Sequence, residues 1–450
     1  TVEEAGDETD SCGTSVTLYL KEFDAEDSLS DFCEESSIRQ TIKKYSDFVS
    51  YPIKMDVEKT ERDFDDEGKP VEGSERTVVE NQTLNSMKAI WARDKSDVSD
   101  DEYNEFYRHI SSDWTDPLST ITLKAEGNTE YKSVLFIPSK APVDLFHPEF
   151  KMGLKLYVRR VFIMDDCNEL LPEYLRFVRG VVDAEDLNLN ISREILQQDR
   201  QVQTIRKRLV KKVIDALKSM KLKESEKYAT FWKEFGAVVK EGIYRDSPNK
   251  DKILDLVMTH STKSDEPISL GDYLDGMKPD QEVIYFMTGS SIDAVKSSPH
   301  LEAFKAKGYD VLFFTDPVDE VWLQYGSEFE GKSFQSIGKG DVELGTEEEK
   351  EQEKEALEEK SKSFEDLLKV IQGELEEDLK EVRLSNRLTE SAACLVGDQF
   401  DMTPQMEQLM KAMGQEVPKV KRILEINPSH PVLEGLKLKF DSNAKDPIIC

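Results

Sequence analysis

Asp186-Leu187-Asn188-Leu189-Asn190-Ile191-Ser192-Arg193-Glu194-Ile195-Leu196-Gln197-Gln198 runs an alternating strand straight into a helix, with a polar elbow between the two periods. Leu187, Leu189 and Ile191 alternate with Asn188, Asn190 and Ser192, the period of two of a half-buried strand, and the apolar residues then move to helical spacing. Either Asn190 or Ser192 has the short polar side chain suited to capping the new helix. The elbow presents Arg193. An arginine at a helix start lies among unpaired backbone N–H groups and the positive end of the dipole, where it is disfavoured locally. Its presence calls either for an anion brought from elsewhere, such as a phosphate, or for an acidic neighbour within the fold. Gln197, four residues on, shares the helical face and can bond at the same place.

Working outward, Gln201 to Met220 continues as a helix whose stripe is Val202, Ile205, Leu209, Val213 and Leu217. Arg206, Lys207, Arg208, Lys211 and Lys212 occupy its other faces, a solvated basic patch or a nucleic-acid surface. Strands such as 133–137 and 155–163, mixed with such helices, predict an α/β and α+β multi-domain protein. Residues 37–335 are expected to form one domain of it: a layered αβα body, a helical connection, then a second small αβα unit reading strand (282–287), helix (301–307), strand (309–314). Residues 54–82, rich in Asp, Glu and Gly, predict a mobile loop. From 345 to 362 Glu and Lys recur at spacings of three and four, which predicts a charged linker helix. Residues 363–450 follow as a smaller α+β domain with a strand at 391–396 and a methionine-rich helix opened by Thr403-Pro404. At the other end, 1–22 holds one alternating strand with no partner nearby, expected to complete a domain that is otherwise absent.

The chain has 450 residues, 38% hydrophobic, 34% charged and 9% aromatic, which suits two or three soluble folded domains rather than disorder. A formal net charge of -32 argues against nucleic acid or an anionic membrane as the main partner. No apolar run approaches the roughly 20 residues that span a bilayer. Cys12, Cys33, Cys167, Cys394 and Cys450 are scattered, as are the five histidines, so neither a disulfide framework nor a metal site is expected, and a reducing cytosol is. Gly338-Lys339-Gly340 reads as a turn and not as a phosphate cradle. No nucleophile and base stand at a recognisable spacing, which weakens the reading as a free-standing hydrolase.

The elbow resembles the catalytic loop of the middle domain in the ninety-kilodalton heat-shock protein (Hsp90) chaperone family, in its bacterial HtpG-like form. Asp113-Trp114-Thr115-Asp116-Pro117-Leu118, Val134-Leu135-Phe136-Ile137-Pro138, Ala141-Pro142-Val143-Asp144-Leu145-Phe146 and Leu156-Tyr157-Val158-Arg159-Arg160-Val161-Phe162-Ile163 resemble the same family in the same order. The resemblance implies an ATP-dependent chaperone of the cytoplasm and the stress response. It would be a homodimer at full length, bind unfolded client proteins, and here lack the dimerisation helices. ATP and Mg would be bound by the absent N-terminal domain, with no cofactor in this chain, which alone would be inactive. Arg193 would be the catalytic arginine that reaches the γ-phosphate, with Asn190 and Gln197 in support. Arg159 and Phe162 would meet the N-terminal domain, their other reading being surface charge and strand packing. Trp91 would be an exposed client or inter-domain contact, or a core residue. Glu320, Trp322 and Gln324 would lie in the bacterial client-binding cluster, although Val321 stands where that pattern has its tryptophan. Met402, Met406, Leu409, Met410 and Met413 would form a client-facing stripe, or a core one. The rival reading is a non-enzymatic acidic protein-binding scaffold.

Overall fold

Helix α1 (Glu35–Tyr45) leads into an antiparallel hairpin of β1 (Lys54–Glu61) and β2 (Arg76–Thr83), paired from Lys54 opposite Thr83 to Glu61 opposite Arg76. The computed structural model describes residues 14–20, 31–61, 76–127, 129–187, 199–279, 281–325, 328–418 and 420–442. The hairpin occupies both ends of the stretch expected to be a mobile loop. Val57 is the one buried side chain among those described in it, so there was no apolar alternation to reveal the strands.

Helix α2 (Asp100–Ser111) starts at a capping box, with Ser99 and Glu102 each bonding the other's backbone N–H. The first large sheet follows: β3 (Ser119–Ala125), β4 (Tyr131–Ile137), β5 (Leu154–Val158), β6 (Val161–Met164) and β7 (Arg179–Ala184), in the order β3-β4-β7-β5-β6. β5 and β7 run parallel, and the other pairs are antiparallel. Alternate residues divide between two cores. Val134, Phe136 and Val181 face a cluster with Phe48, Trp91 and Tyr107, while Leu135, Ile137 and Val182 face α3 (Arg200–Lys223) and α4 (Ser225–Lys240). A sheet covered on both faces needs such continuous apolar strands, and this one makes a layered αβα body. The α3 stripe of Val202, Ile205, Leu209, Val213 and Leu217 is fully buried.

Residues 155–163 do not form the single strand expected. β5 and β6 are the arms of a hairpin whose turn residues, Arg159 and Arg160, have φ of 50° and 65°. A two-residue hairpin needs positive φ at both positions, and glycine or asparagine normally signals it. Two arginines gave no such signal.

A six-stranded sheet comes next: β8 (Met258–Ser261), β9 (Ile268–Ser269), β10 (Val283–Thr288), β11 (Leu312–Phe314), β12 (Glu328–Phe329) and β13 (Lys332–Ser336), in the order β12-β13-β10-β11-β8-β9. The short helix Glu302–Ala306 covers one face through Phe304, and α5 (Asp319–Trp322) covers the other through Trp322.

Helix α6 (Glu347–Glu374) opens with a second capping box, Thr346 with Glu349, and runs unbroken for 28 residues. The expected boundary at 362/363 falls inside it. What changes there is burial: Phe364 and Leu367 pack on a three-stranded sheet, whereas the preceding turns are mostly exposed. That sheet contains β14 (Leu379–Leu384), β15 (Ala393–Val396) and β16 (Arg422–Ile426) in the order β14-β16-β15, with α7 (Pro404–Ala412) and α8 (Pro431–Ser442) beside it in sequence.

Polar contacts join the last two sheets. Arg387 is buried, and its guanidinium donates to the carbonyls of Ile337 and Gly340, each at 2.6 Å, and to Glu425 at 2.8 Å. The Glu302 carboxylate accepts from the backbone N–H groups of Thr389, Glu390 and Ser391. Those bonds outweigh partial burial and hold its carboxyl below the ordinary glutamate range.

Candidate functional site

The elbow lies between two well-fixed ends. Leu187 is buried, and Asp199 caps α3, its Oδ1 accepting from the N–H of Gln201 at 2.7 Å and of Val202 at 3.3 Å. Asn190, Ser192, Arg193 and Gln197 fall outside the described residues. The chain leading to them is clasped by the β5–β6 turn. Arg159 donates from its backbone to Ala184 O at 3.1 Å and from Nε to Glu185 O at 3.0 Å, and its side chain is otherwise exposed.

Trp91 stands behind this turn and not on the surface. Its Nε1 donates to Asp183 at 2.8 Å, and its ring packs on Phe48 and Tyr157 at centroid distances of 4.8 and 5.2 Å. The other Asp183 oxygen accepts from Arg160 N at 3.0 Å. Burial raises the Asp183 pKa against those two bonds, so Trp91 and the turn backbone are what make its charge tolerable. Trp91 is therefore a core residue, and the expectation of an exposed client contact is corrected. Phe162 is half-buried, its ring edge-on to Tyr45 at 5.6 Å and Tyr157 at 5.5 Å. The exposed tryptophan is Trp114, 91% accessible in the turn after α2, with Val143 and Phe146 also exposed on a nearby loop. Ser139 and Thr115 bond across these two loops at 3.0 Å.

Trp322 is also buried, edge-on to Phe314 and Phe334 at 5.3 and 5.4 Å, so its expected client contact is corrected too. Its Nε1 donates to Asp319 at 2.8 Å, and Asp319 takes Lys240 on both oxygens at 2.6 and 2.8 Å. Burial pushes the Lys240 pKa down, but Asp319 and Asp316 outweigh it and hold it above the ordinary lysine value. This buried network pins α5 to α4. Asp319 and Trp322 point inward, which turns the neighbouring Glu320 toward the other side.

On that side lies a cleft of about 670 Å³ shared by the six-stranded sheet and the segment after β15. Glu320, Gln324 and Met402, separated by up to 82 positions in sequence, line it together with Phe286, Phe334, Lys339, Phe400 and Thr403. Thr403 caps α7 by accepting from Met406 N at 3.1 Å and donates its hydroxyl proton to Glu320 Oε2 at 2.6 Å. Burial holds the Lys339 ammonium below its ordinary pKa, with Glu320 pulling the other way. Met402, Met406, Leu409 and Met410 are half-buried and Met413 is exposed, so this stripe is not a closed core. Phe400, 93% exposed at the rim, was missed. Its one signal was a large aromatic between polar residues, Gln399 and Asp401, in the connection from strand to helix.

A larger cavity of about 1050 Å³ lies beside α3 and includes Arg206, Lys207 and Lys211. Two of its arginines are already paired, Arg176 with Glu241 and Arg245 with Glu173. Among the described residues no cluster of His, Cys, Asp and Glu could hold a metal ion, and no helix is long and apolar enough to cross a membrane.

The family model described as Hsp90 protein matches residues 60–449. The chaperone protein HtpG of Nocardia farcinica is 55% identical over 436 residues, covering 96% of this chain and 66% of that protein. HtpG of Rhodococcus jostii is 53% identical over 438 residues, covering 97% and 67%. HtpG of Mycobacterium tuberculosis is 53% identical over 436 residues, covering 96% and 67%. The chain thus spans about two thirds of the length of the curated relatives it matches. Among solved structures, the middle domain of a Plasmodium falciparum heat shock protein is 33% identical with a TM-score of 0.50, covering 56% of this chain and 100% of that one. By sequence and by fold, the chain belongs to the Hsp90 family.

Proposed function

We propose that the chain is the client-holding part of an ATP-dependent chaperone and takes non-native polypeptide in the cleft between α5 and the start of α7. What supports this is the convergence of Glu320 and Gln324 with Phe400, Met402 and Thr403 around one opening, continued by a half-exposed methionine stripe. Methionine and phenylalanine give an adaptable apolar surface, and a few polar groups can bond the exposed backbone of an unfolded segment. Arg193, with Asn190 and Gln197, contributes to ATP hydrolysis by placing positive charge on the γ-phosphate. Such a group is worth about 100-fold to 1000-fold in rate. The nucleotide and its metal are assigned to the part of the full-length relatives that this chain does not cover. At full length the chaperone acts as a cytoplasmic homodimer, in which paired clefts raise the effective concentration for one client.

The test is binding of a chemically unfolded protein, read by suppression of its aggregation. Phe400→Ser with Met402→Ser should weaken suppression about fivefold or more, as expected when two large apolar contacts are lost. Unchanged suppression would remove the cleft from the client surface.

A further inference from the structure

The two oxygens of Glu320 are in different situations. The residue is 5% exposed; Oε2 accepts from Thr403, whereas Oε1 is buried without a hydrogen-bond partner among the described residues. A buried carboxylate oxygen without a donor is destabilising, which makes Oε1 a candidate for a donor supplied by a bound segment. The other acids lining the cleft are engaged: Asp341 pairs with Arg383 at 2.7 Å, and Asp401 accepts from Asp398 N at 2.8 Å. Lys339 lines the same space without hydrogen bonding to Glu320. The same cleft is lined by the rings of Phe286 and Phe334, with Phe400 open at the rim.

We propose that Glu320 sets the charge preference of this cleft, so that it takes extended segments in which an arginine or lysine adjoins a large apolar residue. The cation bonds Oε1 while the apolar neighbour lies on the phenylalanines. A charge-assisted bond is stronger than one from a neutral donor, and a chain of net charge -32 attracts cationic segments before contact. An acidic segment would instead meet Glu320, Asp341 and Asp401. Lys339 opposes the preference and keeps the cleft from being a simple cation trap. The inference rests on the cleft being the client site.

Fluorescein-labelled peptides centred on Phe-Leu-Arg-Phe-Leu, and the same with Gln or Glu in place of Arg, test it by anisotropy against the whole chain. The Arg peptide should bind about tenfold tighter than the Gln peptide, the size of one charged hydrogen bond, and the Glu peptide most weakly. Glu320→Gln should bring Arg and Gln to within about twofold, and Lys339→Gln should tighten the Arg peptide. If Glu320→Gln loses its near-ultraviolet circular dichroism, Lys339→Gln carries the test, and an Arg peptide that binds Lys339→Gln no tighter than wild type overturns the role of Glu320. A wild type without preference, or a Glu320→Gln chain that keeps it, overturns the role of Glu320 while the cleft stands so long as Phe400→Ser weakens every peptide. If no peptide binds, or Phe400→Ser and Met402→Ser change nothing, the cleft reading falls and the charge preference with it.

Discussion

His300 is largely enclosed where the six-stranded sheet meets the last domain, and its Nδ1 is buried without a partner. Burial, aided by the Arg387 guanidinium, holds it at about 4 against an ordinary 6.5, with Glu425 opposing. The unfolded chain therefore takes up the proton first as pH falls. Stability from a neutral His300 is complete above about 6.5, lost progressively down to about 4, and unchanged below that. At 1.36 kcal/mol per unit, the loss amounts to at most about 3 kcal/mol. His300→Gln should flatten urea-unfolding stability between pH 6.5 and 4, and an unaltered slope there would exclude His300 as its source. Single residues were also where the sequence was hardest to read. Trp91 stands among Ala89, Ile90 and Ala92 and is core, whereas Trp114 stands among Ser112, Asp113, Thr115 and Asp116 and is exposed. The indole partner of Trp91, Asp183, is 92 positions away, and no local pattern could connect the two.

At the scale of elements, Gly180 in β7 shows how narrow the route to the elbow is. Its φ is +148°, and a Cβ there would stand 2.2 Å from Val134 O and 2.9 Å from Leu135 Cα, both backbone atoms of β4. Gly180→Ala must shift a strand covered on both faces, and should destabilise by about 2–4 kcal/mol. Gly127→Ala, with φ of +115° and open space around it, should cost about 1 kcal/mol, from backbone strain alone. Urea unfolding of the two variants gives the comparison, and equal losses would mean that the contact with β4 is not what excludes a side chain. The periodic elements were legible in the sequence: the α3 stripe and the apolar strands β4 and β10 stand close to where the pattern put them, because burial on a fixed face imposes the pattern. The hairpin β1–β2 was not legible, having charge on both faces, and neither was the β5–β6 turn, made by two arginines held at positive φ. The candidate cleft was legible only in parts. Helical spacing marked the methionines, but their meeting with Glu320 depends on the tertiary fold.

For the whole molecule, the cleft spans the joint between two regions that have separate apolar cores, so its shape depends on what fixes that joint. Polar links cross that joint: Arg387 on Ile337, Gly340 and Glu425, Glu302 on 389–391, paired backbone bonds between Gly338, Gly340 and Gly397, and Thr403 on Glu320. Arg387 is the most exacting, since its guanidinium is itself buried and its planar fork serves three acceptors. Arg387→Ala leaves Glu425 with Arg383 and Ser385 but strips a buried partner, and should cost about 3–5 kcal/mol. Arg387→Lys keeps the charge without the fork and should fall between the two. Hydrogen exchange localises the effect: amides at 337–342 and 385–391 should exchange faster in Arg387→Ala, while those of β4 and β7 keep wild-type protection. The cleft should widen with the joint and bind apolar peptides less tightly. If exchange instead rises equally in β4 and β7, the joint unfolds together with the first sheet, and Arg387 stabilises the whole chain rather than the hinge beneath the cleft.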